Sequence, residues 1–339
     1  MPFKWFFALF TSVFLLATPV FAKPEVVNVY SFREAKLIQP LIDEFYQQTG
    51  IKVNVVSGKA DKLLARLIED GQDSFADLLL TSNVARLEKA KQLGLIQPIQ
   101  SDYLNRQIPS TLRDSDGYWY GISVRARAIF YAKDRVEHTD IKRYQDLTDA
   151  KWRGKICVRK GSHVYNTSML ASFISLYGEQ WAAGWAQKLA GNLAMRPQGG
   201  DRDQLRNINN GVCDLAIANS YYYGMMSASD KQADRAVYQN VGIIWPEQKS
   251  VGAHVNISGA ALTSAAKNKA NAIAFIEFLL MPKAQKIYAE INFESPVRND
   301  IKQSALVESW GPFVADYQSI GKLSRYLDKA EAIVKRTPW

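Results

Sequence analysis

Cysteine and histidine are scarce in this chain, whose 339 residues include only two cysteines and three histidines. The histidines, His138, His163 and His254, lie far apart in the sequence. The chain also has no Gly-x-Ser-x-Gly nucleophile elbow, no His-Glu-x-x-His zinc motif and no phosphate-binding glycine-rich loop. We therefore predict a protein that is not an enzyme. An exported hydrolase stays as an alternative, because catalytic triads assemble in space rather than in sequence.

Long apolar runs are equally scarce, and the one that stands out lies at the N-terminus. Lys4 precedes an apolar run from Trp5 to Val20, and the small residues Val20 and Ala22 suit a cleavage site. This pattern predicts a signal peptide over residues 1–22. The run is shorter than the ~20 residues of a membrane-spanning helix, so a permanent anchor is the weaker alternative. The sequence therefore predicts an exported, soluble protein.

A concentrated basic segment is absent, although the chain is basic overall. The formal net charge is +9, and the lysines and arginines are spread along the whole sequence. No run is typical of a nucleic-acid-binding segment, so we predict no nucleic-acid partner. The positive field would instead attract small anions or an anionic membrane surface.

The two cysteines, Cys157 and Cys213, have no Cys-x-x-Cys spacing, so the sequence offers no soft sulfur site for zinc or copper(I). Each lies in a short apolar stretch that is typical of a β-strand. Export would bring both into an oxidising compartment, where a disulfide between them is plausible. Two buried free thiols are the alternative, because the sequence does not give the distance between the two Cα atoms.

Strand-like and helix-like segments alternate from residue 25 to residue 92, which predicts βαβ units with a parallel sheet. Two stretches rich in strand-forming residues, 118–131 and 252–259, then suggest crossings between two α/β lobes. We predict lobe 1 over residues 23–122 plus about 253–300. Lobe 2 is predicted over residues 123–252 plus about 301–339. A cleft between such lobes is a favoured place for a small ligand.

Three consecutive tyrosines, Tyr221, Tyr222 and Tyr223, follow a buried-looking strand. Ferric iron is an oxygen-seeking cation, and tyrosinate is an anionic oxygen donor. A free phenol has a pKa near 10, but the charge of a bound cation helps to remove its proton. The alternative for this segment alone is an aromatic packing cluster.

Six segments together resemble one known family over nearly all of the chain that follows the signal peptide. They are Tyr30-Ser-Phe-Arg33, Gly58-Lys-Ala-Asp-Lys-Leu-Leu64, Arg125-Ala-Arg127, Tyr165-Asn-Thr-Ser-Met169, Ala218-Asn-Ser-Tyr-Tyr-Tyr-Gly224 and Asn292-Phe-Glu-Ser-Pro-Val297. The chain resembles the periplasmic ferric-iron-binding proteins of bacterial iron ABC importers, in the branch that needs no carbonate. This resemblance implies a type II periplasmic binding protein, a monomer that carries Fe(III) to an inner-membrane ABC permease.

The resemblance also implies a set of ligands. Tyr30 from lobe 1 and Tyr165, Tyr221 and Tyr222 from lobe 2 would hold the iron, so that closure of the hinge completes the site. Arg125 would hydrogen-bond to a phenolate and help to keep it ionised. Tyr223 is expected to pack in the lobe rather than to bind metal.

Three positions depart from the family pattern. Glu34 stands where some members have histidine, Met225 follows the tyrosines where arginine is frequent, and Phe293 precedes the Glu-Ser-Pro segment. Glu34 could supply an oxygen ligand or serve as a favourable acid at a helix start. His163 is expected to have a structural or solvent-facing role.

These departures leave open the preference for Fe(III) over Fe(II), the coordination number and any water or anion ligand. A second hypothesis for the function keeps the same fold. In that alternative the protein binds a small organic anion or a polyamine, and Arg125 pairs with a carboxylate.

Overall fold

The structure, a computed structural model, describes residues 25–318 and 320–339. The predicted signal peptide therefore lies outside the described residues. Within the described part of the chain, no helix is both long and apolar enough to cross a bilayer. The described strands are β1 Val26–Ser31, β2 Lys52–Ser57, β3 Leu78–Thr81, β4 Ile96–Gln97, β5 Tyr120–Ala132, β6 Ile156–Cys157, β7 Leu215–Asn219, β8 Val241–Ile244, β9 Ala253–Thr263 and β10 Ala315–Asp316.

Helices surround these strands, and several of them begin within a few residues of the end of a strand. The described α-helices are α1 Ala35–Thr49, α2 Ala60–Asp70, α3 Val84–Gln92, α4 Asp102–Gln107, α5 Val164–Tyr177, α6 Glu179–Gly191, α7 Asp201–Asn209, α8 Ser220–Ser227, α9 Gln232–Asn240, α10 Lys269–Leu279, α11 Pro282–Glu290, α12 Ala305–Glu308 and α13 Leu323–Arg336.

The first sheet contains three parallel strands, as the alternation of strands and helices predicts. Strand β1 lies between β2 and β3, and all three run in the same direction. Helix α1 covers them with an apolar stripe in which Leu37, Leu41 and Phe45 recur at helical spacing. The Phe45 ring centre lies 4.9 Å from that of Phe275 on α10, and burial of each such ring contributes about 1.5–3 kcal/mol.

Two long strands connect this sheet to a second one. Residues Tyr120 to Ala126 of β5 pair with β9, whereas Arg127 to Tyr131 of the same strand pair with β7. Strand β9 also pairs with β3, so the order across the described strands is β2, β1, β3, β9, β5, β7, β6. The lobe boundaries stay a prediction, because strand pairing alone does not delimit rigid bodies.

The second sheet contains both cysteines. Cys157 ends β6, and Cys213 precedes the parallel strand β7 by two residues. A disulfide joins them, with the Cα atoms 5.9 Å apart. The C-terminal helix α13 packs chiefly against α5 and also contacts α3, so it touches helices of both predicted lobes.

Several helices begin at the space between the two sheets. Helix α1 follows β1, α3 follows β3 and α8 follows β7, while six residues separate the end of β6 from the start of α5. The positive ends of helix dipoles favour negative charge. The fold thus directs helix N-termini toward one interlobe cleft, where anionic oxygens would be stabilised.

Candidate metal centre

Three phenols meet in a cavity of about 130 Å³ at this cleft. Tyr165, Tyr221 and Tyr222 line one side of it, and Arg125 lies beside them. The remaining lining residues are Phe32, Arg33, Glu34, Leu37, Ser82 and Glu294. The structure therefore brings together three of the four tyrosines that the resemblance implies, together with the implied arginine.

Tyr165 is the second residue of α5, and the start of that helix holds it in place. The Tyr165 backbone N–H donates a hydrogen bond to Nδ1 of His163, the N-cap residue, at 3.2 Å. Burial and the nearby Arg159 lower the pKa of His163 to about 3, which keeps the imidazole neutral and able to accept this bond. His163 therefore has a structural role as a helix cap.

Tyr221 and Tyr222 are the second and third residues of α8, and their ring centres lie 4.1 Å apart. Tyr223 points away from the cavity. Its hydroxyl donates to the Val241 carbonyl oxygen at 2.6 Å, and its ring packs on Phe130 at 5.3 Å. The expectation that Tyr223 packs rather than lines the cleft agrees with this arrangement.

Three guanidinium groups surround the ring of Tyr165. The central carbons of Arg125, Arg127 and Arg159 lie 5.5, 5.9 and 5.2 Å from the ring centre. Nη1 of Arg125 also donates a long hydrogen bond to the phenol oxygen at 3.5 Å. Burial opposes ionisation of Tyr165, but the charge of Arg125 and a hydrogen bond from Tyr221 outweigh it. The pKa of Tyr165 is therefore lowered from its usual value near 10.

The other two phenols have the opposite tendency. Burial, and then the neighbouring Tyr165 oxygen, raise the pKa of Tyr221 and of Tyr222 well above the usual value. The cavity thus combines one phenol whose pKa is lowered with two whose pKa is raised. A multivalent cation held by the first phenolate would promote ionisation of the other two, because its charge dominates at such short range.

A buried ion network lies beneath the phenols. Asp201, the first residue of α7, accepts hydrogen bonds from Arg127 at 2.7 Å, from Arg159 at 3.1 Å and from the Asn219 backbone at 2.8 Å. Arg127 also donates to the side chain of Asn166, the residue after Tyr165, at 2.6 Å. The network therefore fixes the starts of α5, α7 and α8 relative to one another.

The structure places Tyr30, the fourth tyrosine that the resemblance implies, away from the other three. This residue does not line the cavity. Its fully buried ring packs edge-on against Phe75 at 5.2 Å and lies under the guanidinium of Arg66 on α2 at 5.8 Å. The strand end is covered on both faces, and Tyr30 points into the layer between β1 and α2 rather than into the cleft. Tyr30 therefore belongs to the core of lobe 1.

An arginine from another helix lies near Met225, which stands where the family pattern has arginine. Arg202 of α7 lies over the Tyr222 ring, 5.0 Å from its centre, and its Nη2 lies 3.5 Å from the Met225 sulfur. Phe293 packs at the rim, where an added Cβ on Gly224 would lie 2.5 Å from its Cγ.

Comparison with known proteins identifies the family. A model described as bacterial extracellular solute-binding protein matches residues 73–314. The chain belongs to this family. It is 39% identical to iron uptake protein A1 of Synechocystis over 92% of this chain and 87% of that protein.

Solved structures of related proteins agree with this solute-binding fold. The ferric binding protein from Campylobacter jejuni matches with a TM-score of 0.88 and 39% identity over 91% of this chain and 98% of that one. A Trichodesmium protein solved with iron and citrate ligands matches with a TM-score of 0.87 and 39% identity, over 92% and 98%. These matches confirm the predicted two-lobed periplasmic binding protein fold, and the relatives are binding proteins rather than enzymes, as predicted.

No other part of this solute-binding protein competes with the phenol cluster among the described residues. Within them, no group of three or more His, Cys, Asp or Glu side chains is arranged to hold a metal ion. A larger cavity, of about 660 Å³, has carboxylates at Asp140, Asp146 and Glu247 in its lining. The two aspartates form ion pairs, with Lys151 at 3.0 Å and with Arg143 at 3.4 Å. Glu247 accepts hydrogen bonds from the Tyr144 backbone at 3.1 Å and from the Ser250 hydroxyl at 2.7 Å.

Proposed function

We propose that this protein binds ferric iron in the periplasm and delivers it to an ABC importer in the inner membrane. The observation that carries the proposal is the convergence of Tyr165, Tyr221 and Tyr222 on one small interlobe cavity beside Arg125. Three phenolates match the charge of one ferric ion, and oxygen donors suit a hard cation. The iron-binding relatives support the same cargo.

Binding begins at Tyr165, because its pKa is the lowered one. The ion then displaces the protons of Tyr221 and Tyr222, while Arg125 and Arg159 beside the Tyr165 ring stabilise its phenolate. Closure of lobe 1 over the ion excludes water from the site. The closed form is the one that docks on the permease, and the protein acts as a monomer.

The test is visible absorption spectroscopy on protein loaded with Fe(III). Phenolate-to-iron charge transfer gives a visible band, so we expect coloured protein. The variant Tyr221→Phe, Tyr222→Phe should lose most of the band and most of its affinity. Tyr223→Phe is the matched control from the same helix, and Tyr30→Phe tests whether Tyr30 binds the metal. Both controls should keep the band of the unmodified protein.

Persistence of the band in the double variant would contradict the ligand assignment. A colourless loaded protein that binds an organic anion or a polyamine would favour the alternative within the same fold. Export is tested separately by sequencing the N-terminus of the protein recovered from the periplasm, which should begin after Ala22.

A further inference from the structure

Lobe 1 lines the cavity but, with Tyr30 in the core, contributes no phenol to it. Its lining residues are Phe32, Arg33, Glu34, Leu37, Ser82 and, from the second part of the lobe, Glu294. Two of these are carboxylates. Three phenolates alone would balance the charge of a ferric ion but leave coordination positions open on the lobe 1 side.

Glu294 is already committed to other partners. Its two oxygens accept hydrogen bonds from Arg33, at 2.8 and 3.2 Å, and Ser123 donates a further one. The pair is buried, with side-chain exposures of 2% for Arg33 and 1% for Glu294. Removing this carboxylate from its arginine would leave a buried unpaired charge, which is strongly unfavourable.

Glu34 differs in every one of these respects. Its side chain is 49% exposed, and its ion pairs are loose, with Lys36 at 3.5 Å and with Arg202 of lobe 2 at 3.9 Å. Arg202 in turn lies over the Tyr222 ring. The Glu34 carboxylate is thus separated from a candidate phenolate ligand by one guanidinium group, across the mouth of the cleft.

Side-chain capping does not explain why glutamate occupies this position. Glu34 is the N-cap residue of α1, yet its side chain makes no capping hydrogen bond. Serine, threonine, aspartate and asparagine are the residues that cap a helix best, so glutamate gains here only from the helix dipole. A residue that breaks the local capping preference is expected at functional sites.

We propose that Glu34 is the lobe 1 ligand of the metal site and supplies a carboxylate oxygen to a trivalent, oxygen-seeking cation when the cleft closes. This inference rests on the proposed function. The site would then hold three phenolates and one carboxylate, and the one excess negative charge would face Arg125 and Arg202. On closure the Glu34 carboxylate would leave its loose ion pairs and bind the metal. Glu34 would therefore couple metal binding to the movement of the lobes.

The experiment compares Glu34→Gln with Glu69→Gln, which removes an exposed carboxylate of the same lobe on α2. Citrate competes for Fe(III), and the phenolate-to-iron band reports the iron that the protein retains. We expect Glu34→Gln to keep the band but to bind iron at least about tenfold more weakly. Glu69→Gln should stay within about twofold of the unmodified protein.

A double-mutant cycle with Arg202→Gln separates ligation from a simple interlobe ion pair. If Glu34 binds the metal, the loss caused by Glu34→Gln persists in the Arg202→Gln background. If the loss disappears there, Glu34 acts only through Arg202, and the proposal is overturned. Equal affinities of Glu34→Gln and the unmodified protein would also overturn it. A loaded, unmodified protein without any band refutes the phenolate site itself, so the two failures are distinguishable.

Discussion

The buried carboxylate of Asp201 offers the sharpest test of how this site is supported. Asp201→Asn keeps the shape of the side chain and removes its charge. The Asp201 side chain has no exposed surface and accepts from Arg127, Arg159 and the Asn219 N–H at 2.7–3.1 Å. Although burial opposes ionisation, the two arginines hold the pKa of Asp201 below its usual range. The variant would leave two guanidinium groups without their counter-ion.

Loss of one partner from a buried ion pair costs about 3–5 kcal/mol, and we expect a loss of this size in the free energy of unfolding. Urea denaturation followed by tryptophan fluorescence measures it. Asp134→Asn is the control, because Asp134 pairs with Arg135 at 2.9 Å but is 70% exposed, and its loss should be much smaller.

The same variant should also change the pKa of Tyr165. The Asp201 carboxylate disfavours ionisation of Tyr165, so its removal should lower the pKa of Tyr165 further. Ultraviolet titration of the iron-free protein detects that phenolate. If Asp201→Asn unfolded at the same urea concentration as Asp134→Asn, the network would not be what holds the helix starts together.

Three further outcomes follow from the structure. Gly224→Ala should destabilise the protein by about 1–3 kcal/mol in urea denaturation, because its Cβ meets Phe293, whose φ is already 55°. Gly184→Ala, with open space around it inside α6, should stabilise the protein by about 1 kcal/mol in the same assay. Cys213→Ser opens a link across 56 residues and should cost about 4 kcal/mol, measured by urea denaturation against the oxidised protein. Lowering the pH should release iron to citrate, because protons compete with iron for the phenol oxygens. The apparent iron affinity should fall by up to about tenfold per pH unit for each phenol that is protonated. Constant iron retention down to about pH 4 would contradict phenolate ligation.

The sequence was informative wherever a residue type or a local pattern carries the signal. The strand and helix alternation, the two crossing stretches and the separate behaviour of Tyr223 are all visible in it. The direction of the Tyr30 side chain was not predictable, because β1 is largely buried on both faces and alternation along the strand does not show which side faces the cleft. Arg202 was missed because nothing near the tyrosines marks a residue twenty positions earlier on another helix.

The sequence by itself therefore determined the fold class, the absence of the common catalytic motifs and the phenols available as oxygen donors, because these depend on composition and local periodicity. Only the tertiary structure decided which donors meet. Tyr165, Tyr221 and Tyr222 lie near the N-termini of two helices that begin at the same cavity. Tyr30 instead packs between β1 and α2. Helix α7 places Arg202 close to Glu34. A side chain's chemistry is a property of its residue type, whereas its direction is set by the elements packed around it.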